Sequence, residues 1–264
     1  MELWNFLDEL KEKLDSLEDI KTEDYNSIED AVNNARLEKP IWNRVNNVVA
    51  VFADLKNSTQ ISNRKTKRVY AKFLEYTGYP FVKINEKFDS KFIDIKGDGG
   101  LSLFSGRYAE IKAFLAAETF KTFQEKYVRG KFKSKYNINL SFGIGISKGD
   151  LLVKRIGRRK EDNNFFVWAG NAVNNAALIS KYVKISSNKT IIGVSKDIYH
   201  ILNQEKFRDY LILSCECSNK RNLWEREERF IGSNIDIFYK IESDWCKKHG
   251  EEYINTVLEI INES

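Results

Sequence analysis

Histidine, cysteine, proline and methionine are all scarce: the 264-residue chain has two, three, two and one of them. The cysteines, Cys215, Cys217 and Cys246, are odd in number and lack zinc-ligand spacing, and only His200 and His249 could help them. A structural metal is therefore not expected, and the thiols read as reduced side chains of a cytoplasmic protein. No apolar run approaches the roughly 20 residues that span a bilayer. The N-terminal Met1-Glu2-Leu3-Trp4-Asn5 opens no signal-peptide block, so neither membrane insertion nor secretion is expected. Repeats and low-complexity segments are also missing. Charge of one sign does not dominate: the net +5 is mild and spread along the chain. It suits an anionic substrate, and no nucleic-acid partner is expected.

Apolar residues make up 42% of the chain and 17 residues are phenylalanine, ample for a sizeable core. Leu3, Phe6, Leu7, Leu10, Leu14 and Leu17 recur at helical spacing, which predicts an amphipathic helix packed on the main domain or on a second subunit. Pro40 closes the polar stretch that follows. The expected division is residues 1–43 as an N-terminal helical extension, 44–243 as the main domain and 244–264 as a C-terminal helix. Within the main domain the pattern is mixed α/β (α+β). A buried-type strand runs from Val48 to Asp54, and a helix from Lys65 to Glu86 is expected to break at Gly78-Tyr79-Pro80. A hairpin spans Lys91 to Phe104, followed by a helix over 107–129. Strands are then expected over 138–147, 151–157 and 164–168, with a helix from Gly170 to about Tyr182. Short strands at 190–194, 210–213 and 235–241 complete the reading. Helices interspersed with strands and a central hairpin favour a split β-α-β arrangement over a doubly wound sheet.

Two segments carry the chemistry. In Val48-Val49-Ala50-Val51-Phe52-Ala53-Asp54-Leu55-Lys56-Asn57-Ser58-Thr59 and in Phe92-Ile93-Asp94-Ile95-Lys96-Gly97-Asp98-Gly99-Gly100, an apolar run delivers an aspartate to a strand end. A small polar turn follows the first and glycines the second. Two carboxylates so held suit hard divalent ions, and a paired-metal site steadies both attacking and leaving oxygens in phosphoryl transfer. Backbone amides near Asn57, Ser58 and Thr59 could cradle a triphosphate at a helix start.

These motifs continue in a set order. After Phe52-Ala53-Asp54-Leu55-Lys56-Asn57-Ser58-Thr59 and Gly97-Asp98-Gly99 come Gly143-Ile144-Gly145-Ile146-Ser147-Lys148-Gly149 and Gly170-Asn171-Ala172-Val173-Asn174-Asn175-Ala176. Over about residues 44–243 the chain resembles the class III nucleotidyl cyclase catalytic domain. That resemblance implies a ferredoxin-like domain with a mixed, largely antiparallel sheet flanked by helices. It also implies a homodimer with composite active sites and two Mn²⁺ or Mg²⁺ ions in each, turning a nucleoside triphosphate into a 3′,5′-cyclic nucleotide and pyrophosphate. Carried over by position, Asp54 and Asp98 match the metal aspartates, Leu55 offers its carbonyl to a metal, and Asn174 orients the ribose. Phe52, Lys56, Asn57, Ser58 and Thr59 then fall on the substrate side of the first motif.

Three positions depart from the purine cyclases. Asp94 stands where a Lys or Glu reads the purine, Val167 where its hydrogen-bonding partner stands, and Leu178 where an arginine stabilises the transition state. Such departures, the added N-terminal segment and the tail Trp245-Cys246-Lys247-Lys248-His249-Gly250 look like the pyrimidine cyclases of the bacterial Pycsar anti-phage system. Those enzymes make cyclic UMP or cyclic CMP, which a separate effector senses. In that tail, Cys246 and His249 read as the start of a packed helix. Lys96, Arg155, Arg158, Arg159, Lys160 and Lys181 are the candidate replacements for the missing arginine, with Lys96 best placed for catalysis. The alternatives are a cytidylate cyclase, a conventional adenylate or guanylate cyclase, and a degenerate nucleotide-binding module.

Overall fold

A computed structural model describes residues 3–15, 17, 19–37, 40–56, 58–157, 164–186, 188–213, 217, 221–231 and 234–263. The strands are β1 (Lys21–Tyr25), β2 (Ile41–Leu55), β3 (Phe92–Lys96), β4 (Gly99–Phe104), β5 (Phe142–Gly157), β6 (Asn164–Ala169), β7 (Ile191–Ser195), β8 (Trp224–Ile231) and β9 (Asn234–Ile241). The first five helices are α1 (Leu3–Asp15), α2 (Ile28–Asn34), α3 (Ser58–Arg64), α4 (Lys67–Lys87) and α5 (Ala109–Phe123). A π turn, Gln124–Val128, joins α5 to α6 (Arg129–Tyr136); then come α7 (Asn171–Ser186), α8 (Lys196–Leu202), α9 (Glu205–Leu211) and α10 (Gly250–Glu263).

The strands form one sheet in the order β3-β4-β2-β5-β7-β9-β8, with β1 parallel to β2 and β6 antiparallel to β5. Only β1–β2 and β5–β7 are parallel pairs among those described, so the sheet is mixed and largely antiparallel, as expected. β2 lies inside the sheet, between β4 and β5, and its Val48, Val49, Ala50 and Val51 are all buried. Such a continuous apolar run is what a strand covered on both faces requires. Val49, Val51 and Ala53 join the core under α4 and α5, while Val48 and Ala50 face α2 and α7.

α7 lies directly on β5 because that strand offers backbone instead of side chains. A Cβ on Gly145 would fall 1.9 Å from the Ala176 carbonyl oxygen, and one on Gly143 would fall 2.0 Å from that of Ser180. Ser180 Oγ donates to the Gly143 carbonyl at 2.8 Å, satisfying a hydroxyl that is fully buried.

Several expectations are corrected. α4 runs unbroken through Pro80. The proline cannot donate to the Tyr76 carbonyl one turn earlier, and Gln124 Nε2 donates to it instead, at 3.3 Å. The strands expected over 138–147 and 151–157 are one strand, β5, bound along β2 past a bulge between Val45 and Val48. Asn47 in that bulge is left-handed, φ 57, and its amide donates to Asp150 Oδ1 at 3.0 Å. Residues 210–213 are not a strand; they fall at the end of α9 and just after it. β8 escaped notice because its Trp224-Glu225-Arg226-Glu227-Glu228-Arg229 run is nearly all charged. Its carboxylates pair across β9 through Lys240, 3.1 Å from Glu225 and 2.6 Å from Glu227, as suits an edge strand. The amphipathic helix α1 forms but buries none of its residues, so Leu3, Trp4, Leu10 and Leu14 do not pack on the main domain.

Burial has an ionisable cost beneath α5. Glu118 and Lys121 are both enclosed, 3.4 Å apart, and Lys121 Nζ also donates to the Ser243 carbonyl. Desolvation is the largest influence on Glu118 and pushes its pKa from 4.5 up to about 7, against the pull of Lys121. The folded state therefore holds a proton that the unfolded chain releases at lower pH. The resulting stabilisation is full in acid and is lost as pH rises through about 7. Glu118→Gln cannot ionise. Its melting temperature relative to wild type should thus rise between about pH 4.5 and 7 and level off above that, and a difference independent of pH would refute the assignment.

Candidate active site

Register brings the two aspartates together. β2 and β4 pair Ala53 with Gly100, so one step further Asp54 stands opposite Gly99, the neighbour of Asp98. β3 and β4 pair Lys96 with Gly99, which leaves Gly97-Asp98 as a two-residue turn with Gly97 at φ 63. Glycine in the leading position lets the strands turn this tightly. Gly99 rests on the Ala53 carbonyl, where a Cβ would sit 3.3 Å away. Asp98 is half-buried beside α4, and Tyr70 of that helix registers its charge. Burial first, and the Asp98 carboxylate second, raise the Tyr70 pKa above its usual value.

Asp54 does not stand alone. Lys184, near the end of α7, forms an ion pair with its carboxylate and lies 3.5 Å from the Leu55 carbonyl oxygen. The side chain passes over Gly143, the cross-strand partner of Asp54, where any Cβ would collide with Lys184 Cβ at 2.7 Å. A cation thus already rests on the carboxylate and carbonyl that the resemblance assigns to a metal. Both are hard oxygen donors, so the groups present fit a divalent ion.

A second feature opens on the α7 side of the sheet. Phe52, Asp94, Lys96, Val167, Phe166 and Trp168 are among the residues lining a cavity of about 230 Å³. That volume is below the roughly 300–1,000 Å³ of pockets for whole drug-sized ligands. It suits one ring system. Its walls are mainly apolar, with Phe92 packed edge-on against Phe166 and Trp168 at 5.7 and 4.8 Å between ring centres. Asp94 and Lys96 form an ion pair at 3.2 Å in its lining. The indole N–H of Trp168 is buried without a hydrogen-bond partner among the described residues.

The remaining sequence candidates are dispersed. Asn174 is exposed in the first turns of α7, its amide bonded to the Gly170 carbonyl at 3.3 Å. Ten residues of helix separate it from Lys184, or about 15 Å of rise. In one chain, therefore, Asn174 and the Asp54–Lys184 pair mark opposite ends of the helix. Leu178, Tyr182 and Ile185 leave an apolar stripe exposed along it. Lys56 reaches Asn188 Oδ1 at 3.4 Å, and Ser58 begins α3. Asn57, Arg158, Arg159, Lys160 and the side chain of Thr59 lie outside the described residues. Among the described cations, Lys181 is exposed, whereas Arg155 Nε is buried with no partner among the described residues.

Residues 42–217 match the family described as the adenylate and guanylate cyclase catalytic domain, and the chain belongs to that family of nucleotidyl cyclases. A uridylate cyclase from Micromonospora echinofusca is 33% identical over 224 residues, covering 83% of this chain and 71% of that one. One from Propioniciclava tarda is 31% identical over 229 residues, covering 82% and 70%. In fold, the chain is similar to the guanylyl cyclase Cya2, with a TM-score of 0.58 at 18% identity over 75% of this chain and 92% of that one. The adenylyl cyclase CyaB from P. aeruginosa aligns with a TM-score of 0.57 at 15% identity, over 76% and 95%.

Sequence reading missed Lys184, Trp168 and Phe166. Lys184 lies 130 residues from Asp54 in a motif-free part of α7, and no local pattern could have linked them. Trp168 had a signal, since it adjoins Val167 in the aromatic run Phe165-Phe166-Val167-Trp168. If Lys184 competes with a divalent ion for Asp54, its removal should tighten metal binding. For a partly exposed pair worth about 1 kcal/mol, Lys184→Met should lower the Mn²⁺ dissociation constant roughly five-fold. Titration followed by the paramagnetic signal of free Mn²⁺ reads this directly, and weaker binding would show that the lysine does not compete.

Proposed function

We propose that the chain is a pyrimidine nucleotide cyclase that converts UTP to 3′,5′-cyclic UMP and pyrophosphate, working as a homodimer. The reading rests chiefly on the cavity that holds Asp94 and Val167. Val167 has no hydrogen-bonding group, so a purine edge would leave its polar atoms unpaired, at a cost of about 1–3 kcal/mol each. A uracil edge offers an N–H between two carbonyls. Asp94 accepts from that N–H, and Lys96, paired with it at 3.2 Å, donates to the neighbouring carbonyl. The ammonium offsets the repulsion that a bare carboxylate would exert on a carbonyl oxygen. Trp168 offers its unpartnered indole N–H to a remaining acceptor. The names of the two relatives above, both uridylate cyclases, favour uracil over cytosine.

In this reading the 3′-oxygen of the ribose attacks the α-phosphorus, its proton is lost and pyrophosphate leaves. Asp54, the Leu55 carbonyl and Asp98 would hold two Mn²⁺ or Mg²⁺ ions, which supply Lewis-acid activation of the 3′-hydroxyl and charge neutralisation on the triphosphate. Lys184, displaced from Asp54, becomes available to the polyphosphate, and Arg155 is a second cation for the position Leu178 leaves unfilled. Asn174 orients the ribose. Because Asn174 and Asp54 lie at opposite ends of α7, each would serve a different nucleotide, and a site is complete only across two chains. The exposed stripe Leu178, Tyr182 and Ile185 supports such a pairing. By its resemblance to the Pycsar cyclases, the product would signal phage infection to a cyclic-nucleotide-sensing effector.

Initial rates with ATP, GTP, CTP and UTP at equal concentration and with Mn²⁺ test the substrate. UTP should turn over fastest, CTP leading instead would make the chain a cytidylate cyclase, and a purine ahead of both would sink the pyrimidine reading. Asp54→Ala and Asp98→Ala should each abolish turnover while leaving circular dichroism unchanged. Mixing Asp54→Ala chains with Asn174→Ala chains should restore partial activity, since heterodimers carry one intact composite site. Persistent inactivity in demonstrated heterodimers would rule out sharing.

A further inference from the structure

Just before the C-terminal helix, the chain brings together two of its three cysteines and one of its two histidines. Cys217 lies in the turn between α9 and β8, and Cys246 and His249 just before α10. The two sulfurs are 3.4 Å apart, Cys246 Sγ is 3.7 Å from His249 Nδ1, and all three ligand atoms fall within 4.8 Å of one another. Around a tetrahedral zinc ion, with Zn–S near 2.3 Å and Zn–N near 2.0–2.1 Å, sulfurs stand about 3.8 Å apart and sulfur and nitrogen about 3.6 Å apart. A disulfide would instead need about 2.05 Å. The sulfurs are too far apart for a covalent bond, and the two separations lie within about 0.4 Å of those in shared coordination.

The surroundings hold this geometry in place. Trp245 anchors the stretch to α5, its amide donating to Thr122 Oγ1 at 3.0 Å and its indole to Thr119 Oγ1 at 3.2 Å. Lys126 Nζ donates to the Trp245 carbonyl at 2.9 Å. The Cys246 carbonyl then accepts from the Gly250 amide at 2.7 Å, and that of His249 from the Tyr253 amide at 2.9 Å. Cys246 and His249 are thus one helical turn apart on a fixed corner, and the His249 ring stacks on Tyr253. Opposite them Cys217 adopts φ 53, a left-handed conformation uncommon for a residue with a side chain. Linear spacing conceals the cluster because its members come from segments 29 residues apart.

We propose that Cys217, Cys246 and His249 bind a zinc ion that staples the C-terminal helix to the turn after α9. Thiolate and imidazole donors favour zinc over magnesium or manganese, so the site is chemically distinct from Asp54 and Asp98. Cys215 lies outside the described residues.

The test uses the full chain, purified with a reductant and without chelators, then given Zn²⁺ and desalted. Elemental analysis should find about one zinc per chain, and Co²⁺ in its place should give the intense sulfur-to-cobalt absorption of thiolate ligation. Cys246→Ser and His249→Ala should each lose the bound zinc and that absorption. Should Cys246→Ser not fold, Cys217→Ser, at an exposed position, provides the same reading. Wild type that retains no zinc and gives no cobalt–thiolate absorption would overturn the proposal. So would undiminished zinc in the folded variants, or a Cys217–Cys246 disulfide that persists in the reductant.

Discussion

The close approach of α7 to β5 is the constraint on which the site geometry depends. Gly143 and Gly145 alternate along β5, so both face the same side, and the strand meets the helix backbone directly. With side chains there, a Cβ only 1.9–2.0 Å from a carbonyl oxygen would push the helix off the strand and carry Lys184 away from Asp54. Asn174 would lose its height above the sheet as well. Two hydrogen atoms in place of two methyl groups therefore fix the level of a helix that carries Asn174 near one end and Lys184 near the other. The buried bond from Ser180 to the Gly143 carbonyl keeps that contact free of an unpaired polar group.

A division of labour across the sheet follows. The face under α4 and α5 is filled by phenylalanines, with Phe81 edge-on to Phe120 and Phe120 edge-on to Phe142, and it gives the sheet rigidity. The opposite face, under α2 and α7, is shallower, and β6 curls over it to bring Phe166 and Trp168 against Phe92. The cavity opens between β6, the β3–β4 hairpin and the start of α7. The larger opening thus lies on the side of the sheet that packing leaves unfinished, while Asp98 stands beside α4.

What the sequence made legible tracks how local each signal is. Val48 to Asp54 reads as a buried strand because six consecutive apolar residues admit few alternatives, and Gly97-Asp98-Gly99 marks the β3–β4 hairpin within three positions. The continuity of α4 was illegible, since it depends on Gln124, 48 residues from the Tyr76 carbonyl that it satisfies. β5 was divided at Lys148-Gly149-Asp150 because those residues are common in turns, yet a bulge in β2 absorbs the irregularity. The charged strand β8 is stabilised by partners on β9 and has no apolar alternation to reveal it. At the site, motif positions could be assigned from the sequence. Their counter-charges, Lys184 for Asp54 and Lys96 for Asp94, emerged only once the chain was folded.

The Asp54–Lys184 pair has an implication for how this chain is made. A cluster of carboxylates that waits for a metal normally burdens folding with like-charge repulsion until the ion arrives. Here the protein carries its own counter-ion on a helix that folds with the sheet, so the first aspartate is neutralised from the start. A newly synthesised chain can therefore reach its final shape with this charge already balanced, whatever the divalent-ion level around it.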